Sequence, residues 1–440
     1  MFIYPKELYT RLKELWRSQR LASDERKIPH LPPDPLLKRL IEVAYHASFM
    51  SEESRKIVFH LVYLSPQNLA EPGEAKSSAI VFKKSRPFNE SELLRLAPAT
   101  DPTKVLIGIY TEGDGEEEDE SLRIWGLLDT GSSWWDFIHG EAASGFPPPN
   151  QLTISSAEPG NLVISRAGQI ILKLQQGEIF SPTGGILKRG PIADFFDSAV
   201  TDLYNEVCQA LKCRRYADKE HDDYPHRLYL QYFERIIFHI RRKMHGGMVI
   251  VVPDHLSVDD PQLRERLLVK YPCIDDRAWH LLVTSLVESR QYMDQHESVM
   301  AGDCTICPST YAELASLHRQ LDHLSEALTD SLKFVAALSG VDGAVLVTDR
   351  LKLIGFGAEV VVTSPQLEHV KVSHDVQGNS GRLLSIESFG TRHRSAFRFC
   401  SSMEDAVTFV ISQDGGVKAI KGRKGETICW SDINLGLFGI

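Results

Sequence analysis

The hydrophobic period of this chain changes in blocks, and that limits its architecture more than any single motif. Up to about Phe180 the apolar residues come in short β-branched and aromatic runs; from Ile192 they recur at three- and four-residue steps; from Gly343 strand-type runs return. Such a chain can be neither an all-helical bundle nor an all-β sandwich, and it reads as a mixed α/β protein. A length of 440 residues exceeds one ordinary core, so two or three domains are expected. The punctuation SPTGGILKRGP (Ser181 to Pro191), placed where the period changes, marks the main boundary. This gives an N-terminal mixed α/β domain over 1–190 and a second domain over 191–440.

In the first domain, MFIYPKELYTRLKELW mixes charges into an apolar stripe and lacks a continuous apolar core, so it predicts an amphipathic helix of a cytoplasmic protein, not a leader. Lys56 to Leu64, Ala79 to Phe82, Val105 to Tyr110 and Leu122 to Leu128 predict strands, with a short helix at Glu90 to Leu96. GDGEEEDE (Gly113 to Glu120) packs six carboxylates into eight residues and reads as a solvated loop, since EF-hand spacing is missing. GFPPPNQ (Gly145 to Gln151) precedes a predicted hairpin, NLVISRAGQIILKL, that turns near Ala167 and Gly168. Trp134 and Trp135, beside Asp136 and His139, read as core or interface aromatics, with a ligand pocket as the alternative.

The second domain opens with two helical segments, ADFFDSAVTDLYNEVCQAL and PHRLYLQYFERIIFHIRRKM, followed by the buried-type strand GGMVIVVP. More helices are expected through Tyr292. A long amphipathic segment from Tyr311 to Leu338 carries Leu314, Leu317, Leu321, Leu324 and Leu328 near heptad spacing, which predicts core packing in preference to a dimerising coil. From Gly343 to Cys429 the chain is strand-rich with one clear helix.

No apolar run is long enough for a membrane span. Seven scattered cysteines do not frame a disulfide scaffold, and Cys304 and Cys307 lack the further ligands that a structural zinc needs. A net charge of −10 disfavours nucleic-acid binding by the whole protein. Against that background, Thr391 to Lys424 holds seven Arg or Lys and three Asp or Glu. A surplus of cations there suits a small polyanion.

Three segments of the last region are hard to explain by packing alone. Asp342-Gly343-Ala344 precedes the apolar run Val345-Leu346-Val347, and an Asp-Gly pair beside a strand is ordinarily a turn. Gly390-Thr391-Arg392-His393-Arg394 looks like a helix start with Thr391 as N-cap. Cations in a first turn oppose the macrodipole, so something negative should offset them; helix amides and Arg guanidinium groups together make a triphosphate cradle. Ser412-Gln413-Asp414 lies between two strand-like runs, at the tip of a predicted hairpin.

In this order and spacing the segments resemble the catalytic domain of the diadenylate cyclases, which carries a DGA motif, a GTRHR-type motif and a Ser-Glu-containing strand end. The resemblance spans roughly Met244 to Trp430, with motif agreement over 341–430 and a helical insertion at about 254–340. It implies a central mixed β-sheet flanked by helices and two ATP condensed into cyclic di-AMP and two pyrophosphates, under the control of an N-terminal sensor or regulatory domain. It further implies a divalent metal, magnesium or manganese, on Asp342 and Asp414. Asp342, Arg392 and His393 are the implied catalytic residues; Gly343, Ala344, Thr391, Arg392, His393, Arg394 and Ser412 would hold the nucleotide. The product's two-fold symmetry implies a homodimer or higher oligomer with facing sites. Gln413 and Asp414 depart from the family's acidic pair, which leaves a nucleotide-binding sensor of little or no activity as the alternative.

Overall fold

The computed structural model describes residues 5–18, 28–52, 55–70, 78–101, 104–112, 121–129, 150–167, 169–175, 177–180, 186–187, 189–213, 224–300, 308–362, 367–413 and 415–431. The chain divides into two compact units between Pro182 and Thr183. Each is mixed α/β, as the period changes predict. Among the described residues, no helix is long and apolar enough to cross a membrane. The acidic run Gly113 to Glu120, the Trp134 to His139 cluster and the pair Cys304 and Cys307 lie outside the described residues.

The N-terminal unit runs α1 (Pro5–Ser18), α2 (Asp34–Ala47), β1 (Ser51–Glu52), β2 (Arg55–Lys56), β3 (Phe59–Tyr63), β4 (Ser78–Pro87), α3 (Glu90–Leu96), β5 (Val105–Glu112), β6 (Ser121–Asp129), β7 (Thr153–Ser156), β8 (Leu162–Arg166), β9 (Gln169–Gln175) and β10 (Glu178–Phe180). Eight strands form one sheet in the order β10-β9-β8-β7-β3-β5-β6-β4, parallel only between β3 and β5. The amphipathic stripes of α1 and α2 explain the packing. Leu8, Leu12, Trp16, Leu37, Leu40 and Ile41 are buried in one core with Phe59, Leu61, Ile154 and Ile164 of the sheet. Helix α3 starts where Asn89 caps it, its side chain accepting from the Glu92 amide. The β8–β9 hairpin turns through Ala167, which adopts a positive φ of 47°.

The second unit runs α4 (Pro191–Leu211), α5 (Tyr224–Arg242), β11 (Gly247–Val252), α6 (Pro261–Arg264), β12 (Leu267–Asp275), α7 (Arg277–Met300), α8 (Pro308–Ala337), β13 (Ala344–Thr348), β14 (Leu353–Val360), β15 (His369–Ser373), β16 (Gly381–Ser385), α9 (Thr391–Ser402), β17 (Val407–Ile411), β18 (Val417–Arg423) and β19 (Glu426–Ser431). Its nine-stranded sheet is ordered β12-β14-β13-β11-β17-β18-β19-β15-β16, with β11 parallel to β13 and β15 parallel to β19. Strand β11 is buried throughout because both sheet faces are covered. Val249 and Val251 join the core with Phe196, Phe233, Leu332 and Phe409. Met248, Ile250 and Val252 join the one with Phe397, Phe399 and Ile420. Alternation along an extended strand sends neighbouring residues to opposite faces, and helices take up both.

The segment 254–340 is not wholly helical. Leu267–Asp275 forms edge strand β12, antiparallel to β14, so only α7 and α8 stand as a helical excursion from the sheet. Periodicity missed β12 because its exposed edge alternates poorly: Leu268, Tyr271 and Ile274 are all exposed. In α8, Leu328 is buried with Leu332 and Val335, whereas Leu314, Leu317, Leu321 and Leu324 are half-buried. The leucine stripe therefore packs into the core only at its C-terminal end.

Candidate functional site

The three motif segments come together through sheet register. Val249 lies opposite Val345 in the parallel pair β11–β13, and Gly247 lies opposite Ile411 in the antiparallel pair β11–β17. Two residues back along β11 and β13, Gly343 is therefore level with Gly247 and Ile411. Strands lie about 4.8 Å apart, so Gly343 and Ile411 are roughly 10 Å from each other, with Asp342 and Ser412 extending from the same end of the sheet.

Asp342 is exposed, and Gly343 carries a φ of +118°. A β-carbon at Gly343 would stand 2.5 Å from the carbonyl carbon of Gly357 and 2.8 Å from the Ala358 nitrogen. The glycine is thus demanded by the backbone of β14. Ala344, an implied nucleotide contact, begins β13 with its side chain buried beside Ile354 and Ala358. Only its main chain can face a ligand.

Helix α9 supplies the second segment. Its N-cap is Gly390, with φ −66° and ψ 166°, and Thr391 is the first helical residue instead of the cap. Without a side-chain oxygen at Gly390, no side chain caps the helix start. The amides of its first turn have no partner within the helix by construction. Phe389, just ahead of the cap, packs edge-on against Phe397 with centroids 5.0 Å apart, which fixes the angle at which the chain enters the helix. Ala396, Phe397, Phe399 and Cys400 bury the inner face, so the start of the helix is held against the sheet.

The Arg392 guanidinium donates from Nη1 to the His245 main-chain oxygen at 3.3 Å. Arg394 turns the other way, donating to Glu387 Oε2 at 2.7 Å. The three basic residues thus have different neighbours: Arg392 contacts the turn before β11, Arg394 is engaged by a carboxylate, and His393 is half-buried with its ring 5.9 Å from that of Phe389.

The third segment is the β17–β18 connection. The Ser412 amide donates to the Gly416 oxygen at 2.8 Å and the Gly415 amide to the Ser412 oxygen at 3.0 Å, closing a tight turn in which Gly415 has a φ of +82°. This is the hairpin expected from the flanking runs. Asp414 lies outside the described residues. Gly390, Thr391, Arg392 and His393 face Val410, Ile411, Ser412 and Gln413 across an open groove of about 660 Å³. Uncapped amides, a guanidinium and a serine along one groove are groups of the kind that can hold an anion. Asp342, Gly343 and Ala344 do not line that groove.

Among the described residues, no three His, Cys, Asp or Glu side chains converge in a way that would hold a metal ion. Among the described residues, Asp342 offers an exposed carboxylate at this end of the sheet.

A second cleft, of about 730 Å³, lies at the other end of the strands. The sequence reading did not anticipate it, although Pro253-Asp254-His255 and Thr348-Asp349-Arg350 sit just after the parallel strands β11 and β13. Arg350 pairs with Asp202 at 2.5 Å and Glu206 at 3.3 Å, and its guanidinium lies 5.4 Å from the centre of the Trp279 ring. Asp349 accepts the Asp254 amide at 2.9 Å. Burial pushes the Asp349 carboxyl up to about 6, and the neighbouring Asp254 charge adds to the rise. These contacts tie α4 to the strand ends and read as a structural network.

Residues 26–129, from just before α2 to the end of β6, match a family described as probable sensor domain DACNV. The match agrees with the expectation of a sensor module in the N-terminal part of the chain. No curated protein and no solved structure matched the chain.

Proposed function

We propose that the second unit is a diadenylate cyclase that joins two ATP molecules into cyclic di-AMP with release of two pyrophosphates, governed by the N-terminal sensor-type domain. The observation that carries this reading is the convergence of three segments far apart in sequence, Asp342-Gly343, Thr391-Arg392 and Ser412, on one end of a single sheet. A fold needing only stability has no reason to leave an uncapped, cation-bearing helix start at that end.

The chemistry asks for alignment and charge neutralisation. Each 3′-hydroxyl oxygen, its proton passing to water, attacks the α-phosphorus of the other nucleotide, forming a P–O bond as the bond to the departing pyrophosphate breaks. Arg392 and the first-turn amides of α9 would bind phosphate oxygens, with Ser412 beside them, and so hold the leaving group in place. Magnesium commonly takes one or two carboxylates and completes its shell from water and substrate phosphates, so Asp342 fits such an ion in donor type. When bound, the ion would supply further neutralisation of phosphate charge. Two-fold symmetry of the product calls for two copies with their sites facing.

The test is incubation of purified full-length protein with ATP and magnesium or manganese, followed by detection of cyclic di-AMP and pyrophosphate. Asp342→Asn and Arg392→Ala should abolish or strongly reduce product. Absence of product over a range of metals and protein concentrations would overturn the reading. A second reading, a nucleotide-binding sensor without turnover, is favoured by Gln413, a neutral amide on the groove wall where the resembled family carries an acidic residue. Tight ATP binding without pyrophosphate release would select it.

A further inference from the structure

The turn between α5 and β11 is absent from the motifs, yet it touches two of the three. Gly246, with φ +67°, is so closely approached that a β-carbon there would stand 2.8 Å from Arg392 Nη1 and 2.8 Å from the Ile411 oxygen. One helical turn earlier, Arg241 lies close against the β17–β18 connection: a β-carbon at Gly415 would meet its Nε at 3.1 Å, its Nη2 at 3.4 Å and its Cζ at 3.7 Å. Arg241 is half-buried in the last turn of α5, where the helix dipole favours a cation. The same end of α5 is strongly positive. Burial first, and then the charges of Lys333, Arg242, Arg235 and Lys243, hold the His239 imidazole down to about 4.

We propose that Arg241 is a positioning residue of the nucleotide groove: its guanidinium, packed on Gly415, sets the Ser412-to-Gly416 turn, while the adjoining His245–Gly246 turn sets Arg392. The inference rests on the nucleotide-site reading. Arg241 acts through the turn and not on the reacting atoms.

The test compares Arg241→Ala, Arg241→Lys, Gly415→Ala and the double variant, made in the full chain. Product formation from ATP and affinity for a non-hydrolysable ATP analogue, by calorimetry, are read separately. Arg241→Ala should lower kcat about 10- to 100-fold with a smaller change in KM, the scale of a misplacement of about 1 Å. Arg241→Lys should stay low, because a charge without the planar fork does not reproduce the contact. Gly415→Ala, which also strains a backbone at φ +82°, should lose at least as much, and adding Arg241→Ala to it should cost little more, since the contact is already gone. Full activity in Arg241→Ala, rescue by lysine, or multiplying losses in the double variant would each overturn the proposal. If Arg241→Ala does not fold, Arg241→Lys and Gly415→Ala carry the test alone. Wild-type protein that binds the analogue but makes no product would sink the cyclase reading, and affinities in the same variants would still decide the role of Arg241.

Discussion

The Arg392 guanidinium reaches the main-chain oxygen of His245 at 3.3 Å, joining the first turn of α9 to the turn before β11 across 147 positions of the chain. Arg394, two residues on, is held by Glu387 at 2.7 Å. Two arginines of one motif thus have different neighbours, and their contributions to nucleotide binding should differ.

Arg392→Ala should weaken ATP-analogue binding about 10- to 100-fold, corresponding to roughly 1.5–3 kcal/mol for charge-assisted hydrogen bonds. Arg394→Ala should cost less than about threefold, because breaking an exposed ion pair to reach a phosphate returns little. Calorimetry on the two variants checks the ranking; equal losses would mean that Arg394 leaves Glu387 when nucleotide binds.

Gly343→Ala should destabilise the second unit by about 2–4 kcal/mol, since a β-carbon at 2.5 Å from backbone cannot be relieved by a rotamer change and the φ of +118° is itself disfavoured. Thermal unfolding should shift down by roughly 5–10 °C. A melt unchanged from wild type would show that β14 yields at no cost.

Asp349 gives the second unit a pH signature. Its carboxyl is raised from 3.8 to about 6, so the protonated form favours the fold; the stabilising contribution is complete below 3.8 and is lost as pH rises through 6. Asp349→Asn should therefore be more stable than wild type at pH 8, by about 1–3 kcal/mol at 1.36 kcal/mol per unit, and nearly equal to it at pH 3.5. Denaturant midpoints at the two pH values test this. A loss of stability at pH 8 instead of a gain would point to a carboxylate-specific contact.

In the N-terminal unit the sign is opposite. His60 is buried in β3 with Nδ1 2.6 Å from Ser155 Oγ, and burial lowers it from 6.5 to about 4. Its contribution is present above 6.5 and is lost as pH falls through 4, because the unfolded chain takes up the proton first. Replacing His60 by Gln should flatten the acid-side loss of stability between those values, as followed by tryptophan fluorescence. An unchanged acid limb would assign that loss to other groups.

The change of hydrophobic period, by itself, determined the α/β class, the helix Glu90–Leu96, the strand around Gly247 to Val252 and the hairpin that holds Ser412, because these follow from local propensity and from burial repeating every two or 3.6 residues. Strand β12 was illegible, since an edge strand with Leu268, Tyr271 and Ile274 exposed carries no clean alternation. The cap of α9 was misread by one residue: Thr391 has the right chemistry, but Gly390 holds the extended conformation. Only tertiary structure could decide that Arg392 and Arg394 part company, that Gly343 answers to β14, and that Arg241 lies on Gly415. Those relations depend on which backbones pass within 3–4 Å of each other, a property of strand order and register that no local stretch of sequence encodes.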